Sequence, residues 1–511
     1  MRPAARHVDL AILALLVAMP FSLMAYDWRY HEFWRDEAQA FTLARDVPLD
    51  MFYGALRMEG IPPLYFLLLR LASGILPSPF PLILVGGIGN GALLFGTYKL
   101  LYSVSGARRG SLLMTLAFSL TYVYSYELGV IVRQYPLGLG LALLCLAHLR
   151  EAIRSGRNRD VWLGTASGAL ACLTTAHAAC IAGGAMLVFG LTMLVRRGGP
   201  RLGWPVVLAL PFAAIALHMA GKYPGRIALG NVDARRDRLY LLELALHMLP
   251  SSSMPSDWWR GDTLESTLKW QGWARGAAVT CLMAAFVIAA AVRFVTSLRR
   301  RPDVELFVPG AIVASWAALL EIIGNHYYGY YRHHLHFSIP LIVLLAGWCI
   351  DSTWEAPSVR WLRRASLAAM GPWFLFHHVV LDENLWMDAH YAFSDTKEHA
   401  LALPRGAHVI SSSDETTVAM IAWRPDLSLR SASSHGRHFR YQICDTAWFD
   451  YVNADPLVTD ECRAAPDRVY TTFATRCGTQ VADVLAGVFD RPVNREGFGM
   501  WRVDCACVGG R

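Results

Sequence analysis

The sequence predicts an α-helical, polytopic membrane protein with about eleven spans and a small α/β domain at its C-terminal end. Three observations predict it. Apolar runs long enough to cross a hydrocarbon core recur from the start of the chain to about residue 381. Hydrophobic residues make up 54% of the 511 and charged residues only 17%, where a soluble protein carries about 25%. Arginine clusters fall at alternate ends of the apolar runs, as the positive-inside rule requires. The expected domains are therefore 1–381, crossing the membrane, and 382–511, outside it.

The first span, 8–25, follows Arg2 and Arg6 and has no small-residue cleavage site before Tyr26. It reads as a retained anchor. The loop 26–79 is too apolar for a plain linker. After Arg35 comes DEAQAFTLARD, a good helix former that Pro48 ends. Pro63–Leu76 reads as a second helix with Pro at its start. Both are expected along the membrane surface. The remaining spans are drawn at 80–102, 111–128, 134–150, 161–175, 176–195, 203–221, 272–296, 304–324, 335–351 and 365–381. Every even-numbered span ends in a cationic cluster: Arg108 and Arg109; Arg150, Arg154, Arg157 and Arg159; Arg196, Arg197 and Arg201; Arg299, Arg300 and Arg301; Arg360, Arg363 and Arg364. That pattern puts the N-terminus inside and the tail outside.

In the tail, His408–Ser413, DLSLRSA (426–432) and RVYTTF (468–473) read as strands, and DETTVAMIAW (414–423) and VADVLAGVF (481–489) as helices. No glycine loop that could cradle a nucleotide phosphate accompanies them. Cys444, Cys462, Cys477, Cys505 and Cys507 crowd the tail without zinc spacing, which suggests disulfides and an oxidising compartment, although five is an odd number. Cys145, Cys172, Cys180, Cys281 and Cys349 lie in apolar spans and act as small hydrophobes. The net charge of +7 suits cytoplasmic loops. No basic stripe with interleaved aromatics marks a nucleic-acid partner, and none is expected.

The topology gathers four polar segments on the outer face: 26–79, 127–134, 222–271 and 324–334. They bring carboxylates, Arg, Lys, His and aromatics to one interface. Aromatics also belt membranes with no catalytic role. Carboxylates near a bilayer are costly and tend to be functional. The pair Asp36–Glu37 is the foremost case. Adjacent helical residues point about 100° apart, so the two cannot share a face. Both could also simply favour the helix N-terminus. Arg133, Lys222 and Arg226 lie at outer span ends, and His326–His336 holds four histidines with Tyr330 and Arg332. His333 and His336 are three apart on a helix and could share a metal, but no carboxylate stands at a matching spacing. His148, His177 and His218 fall in apolar spans and read as helix-contact residues.

Three motifs carry a family resemblance. They are Trp34-Arg35-Asp36-Glu37-Ala38, Glu59-Gly60-Ile61-Pro62-Pro63-Leu64-Tyr65 and Arg133-Gln134-Tyr135-Pro136-Leu137. In order, spacing and sidedness the chain resembles the GT-C superfamily of membrane glycosyltransferases. The branch it is most similar to holds bacterial proteins like protein O-mannosyltransferases and lipid A aminoarabinose transferases. Many members carry His where this chain has Ile61. The resemblance implies a multi-pass protein of the bacterial inner membrane with a periplasmic C-terminal domain. It implies transfer of a hexose or pentose, with inversion, from a polyprenyl-phosphate donor to a glycolipid, polysaccharide or protein acceptor of the cell envelope. Asp36 matches the family's acidic position and becomes the general base. Glu37 pairs with an Arg or binds the acceptor. Arg133, with Lys222, Arg226 and Arg332, meets the donor phosphate, and His326, Tyr330 and His333 meet the sugar. Some members use a divalent cation and others none, so no cofactor is assigned.

The competing class is a transporter or flippase of a lipid-linked substrate. Such proteins tend to show internal repeats and broken spans with midplane charges. This chain shows no repeat, and its charges collect on one side.

Overall fold

The computed structural model describes residues 3–28, 35–59, 62–77, 80–119, 133–196, 290–323, 331–350, 400–411, 426–431, 469–474, 489–492 and 498–503, with isolated positions between them. The chain divides into two compact units, one of residues 1–25, 48–72 and 83–383, the other of 26–47, 73–82 and 384–511.

Helices follow in the order α1 (Pro3–Trp28), α2 (Arg35–Asp46), α3 (Leu49–Glu59), α4 (Leu64–Ser73), α5 (Phe80–Ser105), α6 (Arg108–Ser119), α7 (Gln134–Ser155), α8 (Asn158–Cys172), α9 (Ala176–Val195), α10 (Pro302–Glu305), α11 (Phe307–Ile323) and α12 (Tyr331–Ile350). Among the described residues, α5, α7 and α9 are long and apolar enough to cross a membrane. α1 and α5 run through the first and second predicted spans, and α8 and α9 part at the predicted break near residue 175. α3 was not foreseen; it occupies the stretch between the two expected interfacial helices. The span predicted at 365–381 lies outside the described residues.

In the larger unit, helices meet through small residues. Apolar lipid gives helices no hydrophobic reason to associate, so close van der Waals packing must do it. On α9, Ala178, Ala182, Ala185 and Phe189 recur every three to four residues and are all fully buried. α9 packs on α7, α8 and α11. On α5 the stripe Leu84, Ile88, Phe95 and Tyr102 is exposed, while Val85, Leu93 and Leu100 on the other side are buried. α5 crosses α7 where Gly96 faces Gly140: a Cβ at Gly96 would come within 2.5 Å of the Gly140 carbonyl oxygen.

One end of this unit is tied together by ion pairs. Arg109 reaches Asp9 at 3.2 Å and joins α6 to α1. Arg150 is buried, donates to the Ser103 carbonyl and pairs with Glu305 at 3.0 Å. Glu305 also accepts the Trp348 indole N–H at 3.0 Å, and Arg196 pairs with Asp303. The arginines counted from sequence as a loop signal are thus partly committed to acids at the same end. A buried guanidinium without such partners would be strongly unfavourable.

In the smaller unit, α2 buries Glu37, Ala40, Phe41 and Ala44, a single stripe at helical spacing. Arg45 covers the Phe41 ring at 4.8 Å and pairs with Asp46 at 2.6 Å. The tail carries a five-stranded sheet, β1 (His408–Ser411), β2 (Ser428–Ser431), β3 (Val469–Ala474), β4 (Phe489–Pro492) and β5 (Phe498–Val503), in the order β2-β1-β3-β5-β4. β1 pairs parallel with β2 and β3, and β5 pairs antiparallel with β3 and β4. The three predicted strands fall on β1, β2 and β3, while β4 and β5 were not foreseen. Phe489, expected to end a helix, instead opens β4, whose edge position tolerates Pro492. The expected helix 414–423 lies almost wholly outside the described residues, as does the rest of 481–489. The Cys444, Cys462, Cys477, Cys505 and Cys507 cluster also lies outside them.

Arg424 fastens the lead-in to β2. Its guanidinium donates to the carbonyls of Ala400 and Leu403, at 3.0 and 2.9 Å, and to Asp426 at 2.6 Å. That contact holds the Asp426 carboxyl well below the usual carboxylate range.

Candidate anion site at the N-termini of α7 and α9

The end of the larger unit opposite the ion pairs is where α7 and α9 begin. Arg133 is extended, at φ −134° and ψ 170°, and takes the N-cap position of α7 without capping it through its side chain. Pro136 follows in the first turn, where a missing N–H costs no helical hydrogen bond. α8 ends as the Thr174 hydroxyl donates to the Ala171 carbonyl at 2.7 Å. α9 then starts from Thr175, whose hydroxyl accepts the Ala178 N–H at 3.0 Å. A Cβ at Gly138 would stand 2.6 Å from the Thr174 hydroxyl oxygen, so the first turn of α7 packs against this α8–α9 turn. Two helix N-termini therefore converge. Each carries partial positive charge and unsatisfied N–H groups.

Arg133 is only 8% exposed, and its guanidinium lies 5.8 Å from the Tyr135 ring centre. Tyr135 meets His336 edge-on at 5.6 Å. His336 is fully buried on α12, and its ring lies 5.2 Å from that of His177 on α9. Arg133, Tyr135, His336 and His177 form one continuous row across α7, α12 and α9. α4 closes on the same turn, since Leu64 N–H donates to the Leu173 carbonyl at 2.8 Å. Tyr65 beside it is fully buried. Two of the three motifs, Pro62-Pro63-Leu64-Tyr65 and Arg133-Gln134-Tyr135-Pro136-Leu137, thus meet at the α8–α9 turn.

The arrangement suits an anion. A guanidinium supplies a full charge and a planar fork of donors, and the helix ends supply a fixed field. His177 and His336 could ligate a metal through their rings. No group of three metal-ligating side chains gathers among the described residues.

Of the residues assigned from sequence, Arg133 stands in this row. Asp36 is in the first turn of α2, and its side chain lies outside the described residues. Glu37 is on the buried stripe of α2. Arg332 and His333 are in the first turn of α12, their side chains outside the described residues. Lys222, Arg226, His326 and Tyr330 lie outside them too. The sequence reading missed Tyr135, His177 and His336 as members of one row. From sequence alone His177 reads as a helix-contact residue, and His336 as one of the His326–His336 group that could meet a metal, the sugar or the phosphate. The Thr175 cap signal could have placed His177 at the helix end.

No family model and no curated protein matches the chain at the level of sequence. Solved structures do match it. In its apo state, ArnT from Cupriavidus metallidurans superposes with a TM-score of 0.56 at 13% identity, over 99% of this chain and 100% of that one. The same protein bound to undecaprenyl phosphate gives 0.53 at 12%, over 98% and 99%. The apo oligosaccharyltransferase of Archaeoglobus fulgidus gives 0.50 at 11%, over 94% of this chain and 71% of that one. The chain is similar to them in fold across nearly its full length.

Proposed function

We propose that the chain is a membrane glycosyltransferase that takes its sugar from a polyprenyl-phosphate donor. The observation that carries this is the buried Arg133 at the meeting of two helix N-termini, a place built for an anionic group. ArnT, whose fold the chain shares, binds undecaprenyl phosphate. A phosphate held here leaves a polyprenyl tail free to lie in lipid.

The reaction needs a base for the acceptor hydroxyl and a cationic site for the departing phosphate. Asp36 is the base, on its match to the acidic motif position. It takes the hydroxyl proton as that oxygen attacks the anomeric carbon. The bond from that carbon to the phosphate oxygen breaks, and the configuration inverts. The lipid phosphate leaves with the electron pair, its charge offset by Arg133 with Lys222, Arg226 and Arg332. His326, Tyr330 and His333 hold the sugar, and Glu37 serves the acceptor side. The domain 382–511 lies outside the inner membrane, where a glycolipid, polysaccharide or protein acceptor is met.

Binding of a polyprenyl-phosphate sugar to the purified full chain tests the reading. Truncating one partner of a desolvated phosphate contact costs about 2–5 kcal/mol, so Arg133→Ala should weaken binding at least about tenfold. Arg300→Ala, an exposed change at the other end, should leave binding alone. Equal loss from both variants would reject the assignment. Turnover of a soluble nucleotide sugar in place of the lipid donor would reject the donor class.

A further inference from the structure

A polar cavity lies at the ion-paired end of the larger unit, between α5, α7 and the start of α8. Its volume is about 330 Å3, and Lys99, Tyr102, His148, Glu151, Arg157 and Asp160 are among its lining residues. That is room for much more than one water. Its acids are already occupied. Glu151 pairs with Arg154 at 2.5 Å, and Asp160 faces His148 at 3.6 Å and accepts from the Ser155 hydroxyl at 3.4 Å. Two cations are not. Among the described residues neither the half-buried Lys99 ammonium nor the Arg157 guanidinium has a hydrogen bond or ion pair. α8, fifteen residues long, also begins here, directly after Arg157. Its N-terminus adds partial positive charge on the same side.

The rim faces lipid. Tyr102 is 38% exposed and ends the lipid-facing stripe of α5. Amphipathic aromatics of this kind sit at headgroup level. A soluble anion would gain nothing from such a rim, whereas a lipid would lay its chains beside it.

We propose that this cavity binds the phosphate of an anionic phospholipid headgroup, held between Lys99 and Arg157. The site is separate from the Arg133 row and does not depend on the reaction assigned to it. Phosphate basicity and geometry suit a guanidinium and an ammonium converging on it, and Arg–phosphate contacts are among the strong ones.

Lipid binding to the purified full chain, read by native mass spectrometry and by fluorescence with labelled lipid in nanodiscs, tests this. The probes are phosphatidylglycerol, phosphatidylcholine and glycerol 3-phosphate. Each basic side chain at an anionic lipid surface is worth about fivefold in affinity. The wild type should therefore prefer phosphatidylglycerol to phosphatidylcholine, and the double variant Lys99→Gln/Arg157→Gln should lose about 25-fold in that preference. Arg157→Gln alone, at an exposed position that packing does not need, should lose about fivefold. The charge-keeping pair Lys99→Arg/Arg157→Lys should keep most of it. An undiminished preference in Arg157→Gln and in the double variant would overturn the site. Glycerol 3-phosphate binding as tightly as the lipid would overturn the lipid source.

Discussion

Arg133 shows how far one residue can be read before the fold is known. A cation at a span end is ordinary, and many such side chains snorkel to the headgroups. Its neighbours Tyr135 and Pro136 made it a motif position, and the structure buries it at the start of α7 beside the Tyr135 ring. His177 and His336 were not legible in the same way. A lone His on an apolar stripe carries no periodic signal, and its partner lies more than 150 residues away on another helix. Asp36 rests on motif and position alone. The isosteric amide keeps its volume and cannot take a proton. Asp36→Asn should therefore abolish transfer while donor binding persists, measured by turnover and by lipid-donor titration on the same preparation. Near-normal turnover would leave Asp36 with helix capping. Glu37 belongs to the buried stripe of α2, so Glu37→Gln should lower thermal stability as well as activity.

The legibility of the elements followed how local their causes are. α2 was readable because a helix-forming run ends at a proline, and α8 and α9 because 161–195 divides into two short apolar runs near residue 175. β1, β2 and β3 were readable from short β-rich runs. β4 was not, since FDRP is set as a strand by pairing with β5 rather than by its own composition. The glycine crossing of α5 and α7 was equally hidden: Gly91 and Gly96 look alike in sequence. A Cβ at Gly96 would press on the α7 backbone, whereas one at Gly91 meets nothing within 4 Å. Gly96→Ala should destabilise by about 1–3 kcal/mol through overpacking. Gly91→Ala should be neutral or slightly stabilising, since alanine favours a helix by up to about 1 kcal/mol over glycine. Scanning fluorimetry of the two variants in one detergent makes the comparison. Thr175→Ala, which removes the α9 cap, should cost about 1 kcal/mol in the same assay.

At the scale of the molecule, arginine placement was the strongest signal in the sequence, and the acids that answer it were not anticipated. Asp9, Asp303 and Glu305 meet Arg109, Arg196 and Arg150 at one end of the larger unit. These pairs bind chain segments up to about 155 residues apart to the same end, and the row from Arg133 to His177 stands at the other. The positive-inside rule then assigns the first end to the cytoplasm. It follows that 26–79, 222–271 and 382–511 should face outward. Single cysteines in a cysteine-free background report this directly through an impermeant maleimide. With the outer membrane opened, Cys462 kept as the only cysteine should react in intact inner-membrane vesicles of native orientation. Asn158→Cys, exposed at the arginine-rich end, should react only after the inner membrane is permeabilised. The opposite pattern would invert the molecule. It would put Arg133 beside cytoplasmic donors and remove the basis for an extracytoplasmic acceptor, while leaving the lipid-phosphate cavity at Lys99 and Arg157 to be judged by its own binding data.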